Sequence, residues 1–232
     1  PARDARDGQQ DGLDLIAALA AHPDTARHLA IKLYRFFVSE IGEVSEAFVT
    51  RIGAAYLSSG FDMRAVMREV LLSPEFWSPE ARFARHAWPV EFVVRALKDV
   101  GWPGFSLNDS LTPLSNMGQA LFDPPDVNGW DGGPTWFSTG AMLERMNFAS
   151  VLAANQKFRL AQEAAPFAQT PGTLLNYVLD LVDTVKFAPA ISNELLAYLT
   201  ATGAWTGTPQ QLQAKVPGLV HLVAGTPEYQ FS

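Results

Sequence analysis

The stretch from residue 23 to residue 38, PDTARHLAIKLYRFFV, decides the fold class. Its apolar residues recur at intervals of three and four, which is the spacing of one face of an α-helix. They are Ala26, Leu29, Ala30, Leu33, Phe36 and Phe37. Pro23 suits a first helical turn, where its missing N–H costs nothing, and Asp24 complements the helix dipole there. The pattern predicts a helix that is buried along this face.

Similar helix-start signals return along the chain. Ser45 and Asp62 precede apolar runs at helical spacing, and Thr170 and Thr208 each stand before a proline that fits a first turn. Gln211 predicts a capping box with Thr208. Long alternating runs of β-branched residues are missing. We therefore predict an all-α, multi-helix single domain over residues 1–232, with about ten helices and a polar tail at residues 1–11.

Composition limits the classes of partner. Only 18% of the residues are charged, against about 25% in average proteins, while 48% are hydrophobic. We expect much of the surface to be covered, either by a protein partner or by a missing N-terminal portion of the same protein. The net charge of −7 argues against nucleic acid, and no apolar run approaches the roughly 20 residues of a membrane span. Zero cysteines exclude disulfides and thiol chemistry.

The richest chemistry lies in residues 121–139, LFDPPDVNGWDGGPTWFST. Its prolines, glycines, tryptophans and aspartates cannot all fit one regular element, so the segment predicts a compact, shaped loop. Helical spacing returns from residue 141 to residue 160, and Ser138 or Thr139 can cap that helix. We expect this loop to be the working face of the molecule.

Two interpretations of the loop stay open. Asp126 and Asp131 are candidate catalytic residues for glycoside hydrolysis, or ligands of a cation together with Asp123 and Asn128. Trp130 and Trp136 would then be apolar platforms for sugar rings. The alternative, which turn chemistry favours, is that the aspartates form Asx-turns and helix caps while the tryptophans fix the loop to the helices.

Outside the loop, two residues are candidates. His86 has a catalytic character because it lies close to Arg82, Arg85 and Trp88 in the sequence. Arg145 is predicted to be buried and to anchor Asp126 or Asp131. Neither a metal site nor a cofactor is predicted, because the histidines lack ligand spacing and the chain has no phosphate-binding motif.

A short pattern occurs twice in the chain. Residues 72–76, LSPEF, and residues 225–229, GTPEY, each follow a predicted helix. In both, a hydroxyl residue, a proline and a glutamate are followed by an aromatic residue, which we expect to pack back onto the preceding helix.

Several segments together resemble the bacterial domain of unknown function 1800 family. They include residues 22–27, 32–38, 71–77 and 89–94, and the strongest one is Phe122-Asp123-Pro124-Pro125-x-Val127-x-Gly129-Trp130-x-Gly132-Gly133-x-x-Trp136. It is followed at the right distance by Leu143-x-Arg145-x-Asn147-Phe148-Ala149. The segments occur in the same order over nearly the whole chain, which makes the resemblance fairly specific.

The resemblance implies a helical protein that is exported from bacteria to the periplasm or beyond, and is often encoded beside an exported protein of sulfatase-like fold. This chain would correspond to the C-terminal half of such a protein. The resemblance supplies no reaction and no catalytic residue. Our first hypothesis is therefore a non-catalytic binding or assembly module, and the alternative is a carbohydrate-directed hydrolase or lyase with an acidic loop site.

Overall fold

A computed structural model describes residues 8–101, 107–155, 158–182, 187–201 and 203–232. These residues form eleven α-helices, several short 3-10 helices and no strand beyond a single bridge between His86 and Phe231. The all-α fold class is therefore confirmed. The chain divides into two compact units, residues 1–85 and 86–232, and each unit is described by itself.

The first unit contains four helices: α1 (Gly8–Ala20), α2 (Pro23–Phe37), α3 (Glu46–Ser58) and α4 (Met63–Leu71). Residues 8–11, which the sequence placed in a polar tail, belong to α1, and residues 1–7 lie outside the described residues. The start signals at Ser45 and Asp62 act as predicted, and His22 is an additional cap. His22, Ser45 and Asp62 each accept a hydrogen bond from a backbone N–H of the first turn of α2, α3 and α4.

The core of the first unit lies between α2, α3 and α4. Helices α2 and α3 approach closely, because an added Cβ on Gly53 would lie only 3.6 Å from the Cβ of Ala26. The buried face of α2 differs from the predicted one. Ala26, Ala30 and Tyr34 are buried at four-residue spacing, whereas Phe36 is 75% exposed. Phe36 lies about 200° around the helix from Tyr34, so one face cannot bury both.

The second unit contains seven helices: α5 (Pro89–Asp99), α6 (Leu107–Asn116), α7 (Thr139–Ala154), α8 (Leu160–Ala164), α9 (Pro171–Leu181), α10 (Pro189–Thr200) and α11 (Pro209–Ala224). Helix α11 is central, because it packs against α7, α8, α9 and α10. The longest predicted helix, residues 141–160, ends earlier than expected. Arg159 has a left-handed backbone (φ 50°), which separates α7 from α8.

Thr170 and Thr208 cap α9 and α11 as predicted, each accepting from the third residue of its helix. The predicted capping box at α11 was only half right. Oε1 of Gln211 accepts from the backbone N–H groups of Thr206 and Gly207 at 2.8 and 2.9 Å, rather than from that of Thr208. The glutamine therefore fixes the approach to the helix instead of closing a reciprocal pair.

Candidate functional site

The predicted loop connects α6 to α7. Residues 122–128 are all exposed, and we call them the loop tip. Two large apolar side chains lie in this tip, Phe122 at 97% exposure and Val127 at 103%. Beyond the tip the chain returns to the unit, where a 3-10 helix at Gly133–Phe137 leads into α7.

Turn hydrogen bonds shape the tip. Oδ1 of Asp126 accepts from the backbone N–H of Asn128 at 2.7 Å, which is an Asx-turn, and the carbonyl of Asp126 accepts from Gly129 at 3.2 Å. Gly129 has a φ of 91°, a conformation that side-chain-bearing residues rarely adopt. The predicted structural role of Asp126 is thus present in the fold.

Phe122 is also left-handed, with a φ of 65°. For a bulky residue this conformation costs on the order of 1–3 kcal/mol and persists only where the surrounding structure determines it. The ring that this strained residue carries is almost wholly exposed. No burial of the phenyl ring offsets the strain.

Trp136 fixes the loop to the second unit. Its side chain is buried, and its ring centroid lies 5.6 Å from that of Trp88 in a tilted arrangement. Its indole Nε1 is buried without a hydrogen-bond acceptor among the described residues. Trp130 is half-buried. Trp136 therefore serves as a structural contact, as the second interpretation of the loop predicts, and its ring is not available for stacking on a sugar.

The loop ends at a helix cap. The side chain of Ser138 accepts from the backbone N–H of Ala141 at 3.2 Å, as the sequence predicted. The first turn of α7 thus begins where the 3-10 helix ends, and one turn further along α7 stands Arg145.

Arg145 is fully buried, as predicted, but its partners differ from the predicted aspartates. Its guanidinium donates to the carbonyl of Ala87 at 2.7 Å and to Oε1 of Gln230 at 3.1 Å. It also lies 4.9 Å from the ring centroids of both Phe92 and Phe137. The anchoring of Asp126 or Asp131 by Arg145 was therefore wrong, because the guanidinium faces aromatic rings and neutral oxygens in the interior.

Burial without a carboxylate hydrogen bond changes the chemistry of this cation. Desolvation lowers the pKa of Arg145 from 12.5 to about 10, while the charge of Glu91 acts in the opposite direction. The group is still a cation at neutral pH. Its Nε has no hydrogen-bond partner among the described residues. Aromatic faces supply part of the compensation, since cation–π contacts strengthen when desolvated.

His86 belongs to the same aromatic surroundings. Its ring lies 5.1 Å from that of Phe137 and 5.1 Å from that of Phe231, and its backbone forms the bridge to Phe231. The structure therefore places the candidate histidine beside the loop's end and far along the chain from the candidate aspartates.

These features permit comparison with known families. The family model described as "Protein of unknown function (DUF1800)" matches residues 2–231. The chain belongs to the DUF1800 family. The narrower expectation that it corresponds to the C-terminal half was inaccurate, because the match runs along nearly the whole chain. No curated protein and no solved structure matches it.

The three loop carboxylates of this DUF1800 chain differ from Trp136 in their exposure. Asp123, Asp126 and Asp131 are exposed, whereas Trp136 is buried. Across the described residues, no group of three His, Asp or Glu side chains is placed to hold a metal ion.

The sequence missed a second buried polar cluster of the DUF1800 chain. Oη of Tyr229 donates to Oδ2 of Asp99 at 2.6 Å, and the guanidinium of Arg95 lies 4.3 Å from the tyrosine ring. Burial raises the pKa of Tyr229, and the Asp99 carboxylate raises it further. Tyr229 ends the second LSPEF-like pattern, which predicted packing onto the preceding helix, and its buried ring lies against Phe92 and Arg95 of α5.

Membrane insertion has no support among the helices of this DUF1800 chain. In the described ranges, each helix is either too short or too polar to cross a lipid bilayer.

Proposed function

We propose that this DUF1800 chain is a non-catalytic binding or assembly module that acts with another exported bacterial protein in the periplasm or outside the cell. The observation that carries the proposal is the loop tip, where Phe122 and Val127 are almost wholly exposed. Aromatic side chains, phenylalanine among them, are enriched in the buried cores of protein interfaces.

The construction of the loop supports this proposal. An interface element binds more tightly when it is already ordered, because ordering it on binding costs free energy. The Asx-turn at Asp126, the buried ring of Trp136 and the cap at Ser138 order the backbone that follows Phe122. The backbone of Phe122 is left-handed, and such strain clusters at functional positions.

The first unit also has an exposed apolar surface that a protein partner could cover. Helix α1 has no buried residue, and its side chains of Leu13, Leu15, Ile16 and Leu19 are each at least half exposed. Apolar surface of this extent marks interaction sites in soluble proteins.

The alternative, a carbohydrate-directed hydrolase or lyase, has weaker support. It requires Trp136 as an exposed platform and the two aspartates across a groove. A screen against polysaccharides with Asp126→Asn and Asp131→Asn tests it, and we expect no activity in any of the three proteins. Turnover that depends on both carboxylates would overturn the module proposal.

The module proposal is tested by partner capture from the native source. Tagged protein is purified with its bound proteins in the wild type, in Val127→Ser and in Phe122→Asn, where asparagine tolerates the left-handed backbone. Val151→Ser is the matched control, because Val151 is also exposed but lies on α7. We expect one protein to be captured by the wild type and the control and lost from both loop variants. The same captured proteins in all four samples would contradict the proposal.

A further inference from the structure

The loop tip ends in the only Asn-Gly pair of the chain, Asn128-Gly129. The side-chain amide of an asparagine can react with the backbone nitrogen of the next residue, which makes asparagine a labile residue in proteins. Glycine favours this reaction, because it has no side chain to shield its nitrogen. The pair is therefore a candidate site of spontaneous deamidation.

The reaction needs no enzyme and no cofactor. The nitrogen of Gly129 forms a bond to Cγ of Asn128, the bond between Cγ and Nδ2 breaks, and ammonia leaves with the proton of the Gly129 amide. Water then opens the resulting cyclic imide at either of its two carbonyls. One opening gives aspartate, and the other gives isoaspartate, in which the main chain runs through Cγ.

The fold leaves this pair accessible. The side chain of Asn128 is exposed and hydrogen-bonds to no described residue, and it lies in a turn rather than in a helix. A Cβ added to Gly129 would meet no atom within 4 Å beyond its chain neighbours. The space in which the ring has to form is therefore open.

The other six asparagines lack both advantages. Five of them lie within helices and Asn155 caps the end of α7, so that hydrogen bonds restrain their backbone. Each of the six is followed by a residue with a side chain. Asn193 is the closest match for comparison, because it is exposed on α10 and precedes Glu194.

Asp126 opposes the reaction at Asn128. Its Oδ1 accepts from the backbone N–H of Asn128 at 2.7 Å, and its carbonyl accepts from that of Gly129 at 3.2 Å. The nitrogen of Gly129 must release its proton before it attacks, so the second hydrogen bond has to open first. The carboxylate also disfavours this release, because it repels the negative charge that the nitrogen acquires. Local opening of the turn therefore limits the rate.

We propose that Asn128 deamidates spontaneously at a rate restrained by Asp126, and that the modification ends binding by the loop tip. The second half of this inference rests on the proposed function. Deamidation places a new carboxylate directly beside Val127, and a partner that covers this side chain would have to desolvate that charge. Isoaspartate also inserts an atom into the main chain of the turn. The loop tip thus has a limited working lifetime.

Peptide mass spectrometry of aged protein tests the chemistry. Wild type, Asp126→Ala and Asp126→Asn are incubated at mildly alkaline pH, where an amide nitrogen loses its proton more readily. In the wild type we expect Asn128 to gain the mass of an amide-to-acid exchange sooner than Asn193. Asp126→Ala should react about fivefold faster than the wild type, because the turn loses a hydrogen bond as well as the charge.

Asp126→Asn is the matched control, because it removes the charge and keeps an oxygen that can accept from Asn128. Its rate should lie between those of the other two proteins. An Asn193 that reacts as fast as Asn128 would overturn the inference, and so would an Asp126→Ala protein that reacts no faster than the wild type.

The effect on binding is measured within one aged sample of the wild type. The added negative charge allows ion exchange to separate modified from unmodified molecules of the same age. We expect the unmodified fraction to capture the protein partner and the modified fraction to lose it, and equal capture by both would overturn the second half of the inference. Fresh protein that captures no partner would overturn the proposed function and this second half with it, whereas the mass measurement decides the deamidation separately.

Discussion

Arg145 and Gln230 are joined by a hydrogen bond of 3.1 Å that spans 85 residues of sequence. The same guanidinium donates to the carbonyl of Ala87. One buried cation on α7 therefore contacts both the segment before α5 and the 3-10 helix at Glu228–Gln230. The candidate loop ends at Ser138, about two turns of α7 before Arg145. The helix on which the loop ends is therefore fixed by an interior contact, while the Asx-turn of Asp126 shapes the loop tip.

Replacing this cation tests its structural role. Arg145→Ala should lower the free energy of unfolding by about 3 kcal/mol or more, because it leaves two buried oxygens without donors and opens a cavity beside Phe92 and Phe137. Arg145→Met fills most of the volume and should lose less. Urea denaturation of the three proteins measures both differences, and an unchanged stability of Arg145→Ala would remove this role.

A second prediction concerns alkaline pH. The hydroxyl of Tyr229 donates to Asp99, and burial together with that carboxylate raises the pKa of the folded tyrosine above its ordinary value of 10. Above about pH 10 the unfolded chain releases this proton while the folded chain keeps it. The contribution of Tyr229 to stability is therefore complete below that pH and declines as the pH rises.

The test is the pH dependence of the unfolding free energy. Tyr229→Phe should cost about 1–2 kcal/mol at neutral pH, since a buried carboxylate loses its donor. Its stability should then fall less steeply than that of the wild type above about pH 10. If the unfolding free energies of the two proteins fell equally with pH, ionisation of Tyr229 would not be the cause of the pH dependence.

Local sequence patterns predicted the elements well because caps and helical spacing act over a few residues. Ser45, Asp62 and Ser138 cap helices as their positions suggested. The burial of Arg145 was also predictable, but its acceptors lie 58 and 85 residues away along the chain, beyond any local pattern. We expected a carboxylate to accept hydrogen bonds from Arg145, whereas two neutral oxygens accept them and two aromatic rings flank the guanidinium.

In the loop, too, some features could be predicted from the sequence and others could not. Its turns and its anchoring tryptophan followed from residue types, since Asx-turns and buried indoles have local chemical causes. The exposure of Phe122 and Val127 did not follow, because apolar side chains are expected to be buried unless the fold prevents it. The sequence therefore located the loop and misjudged which of its side chains meet solvent.

Helices α10 and α11 approach so closely that one glycine is required between them. A Cβ added to Gly218 would lie 2.8 Å from Cζ of Tyr198 and closer still to its hydroxyl. The ring is also in contact with Lys215, because Oη of Tyr198 donates to the backbone carbonyl of Lys215 at 3.4 Å and Nζ of Lys215 lies 4.7 Å from the ring centroid. Gly218→Ala should therefore destabilise the second unit by about 1–3 kcal/mol.

The matched test is a double-mutant cycle. Tyr198→Ala removes the ring that the new methyl group would strike, so Gly218→Ala should cost much less in that background than in the wild type. Thermal unfolding of the four proteins gives the coupling. Equal costs in both backgrounds would show that the tyrosine ring is not the obstacle.

The last prediction distinguishes the cost of backbone strain at the loop tip from the contribution of its exposed side chains. Gly129 has a φ of 91° and open space around it, so Gly129→Ala should cost about 1 kcal/mol through backbone strain alone. Gly140 also has open space but a helical backbone, so Gly140→Ala should be neutral or stabilising. Phe122→Asn should leave the melting temperature unchanged or raise it, because asparagine tolerates the left-handed conformation and the lost ring was in solvent. A marked loss of stability in Phe122→Asn would mean that the ring packs within the molecule in solution, and the loop tip would then have no exposed anchor to offer a partner.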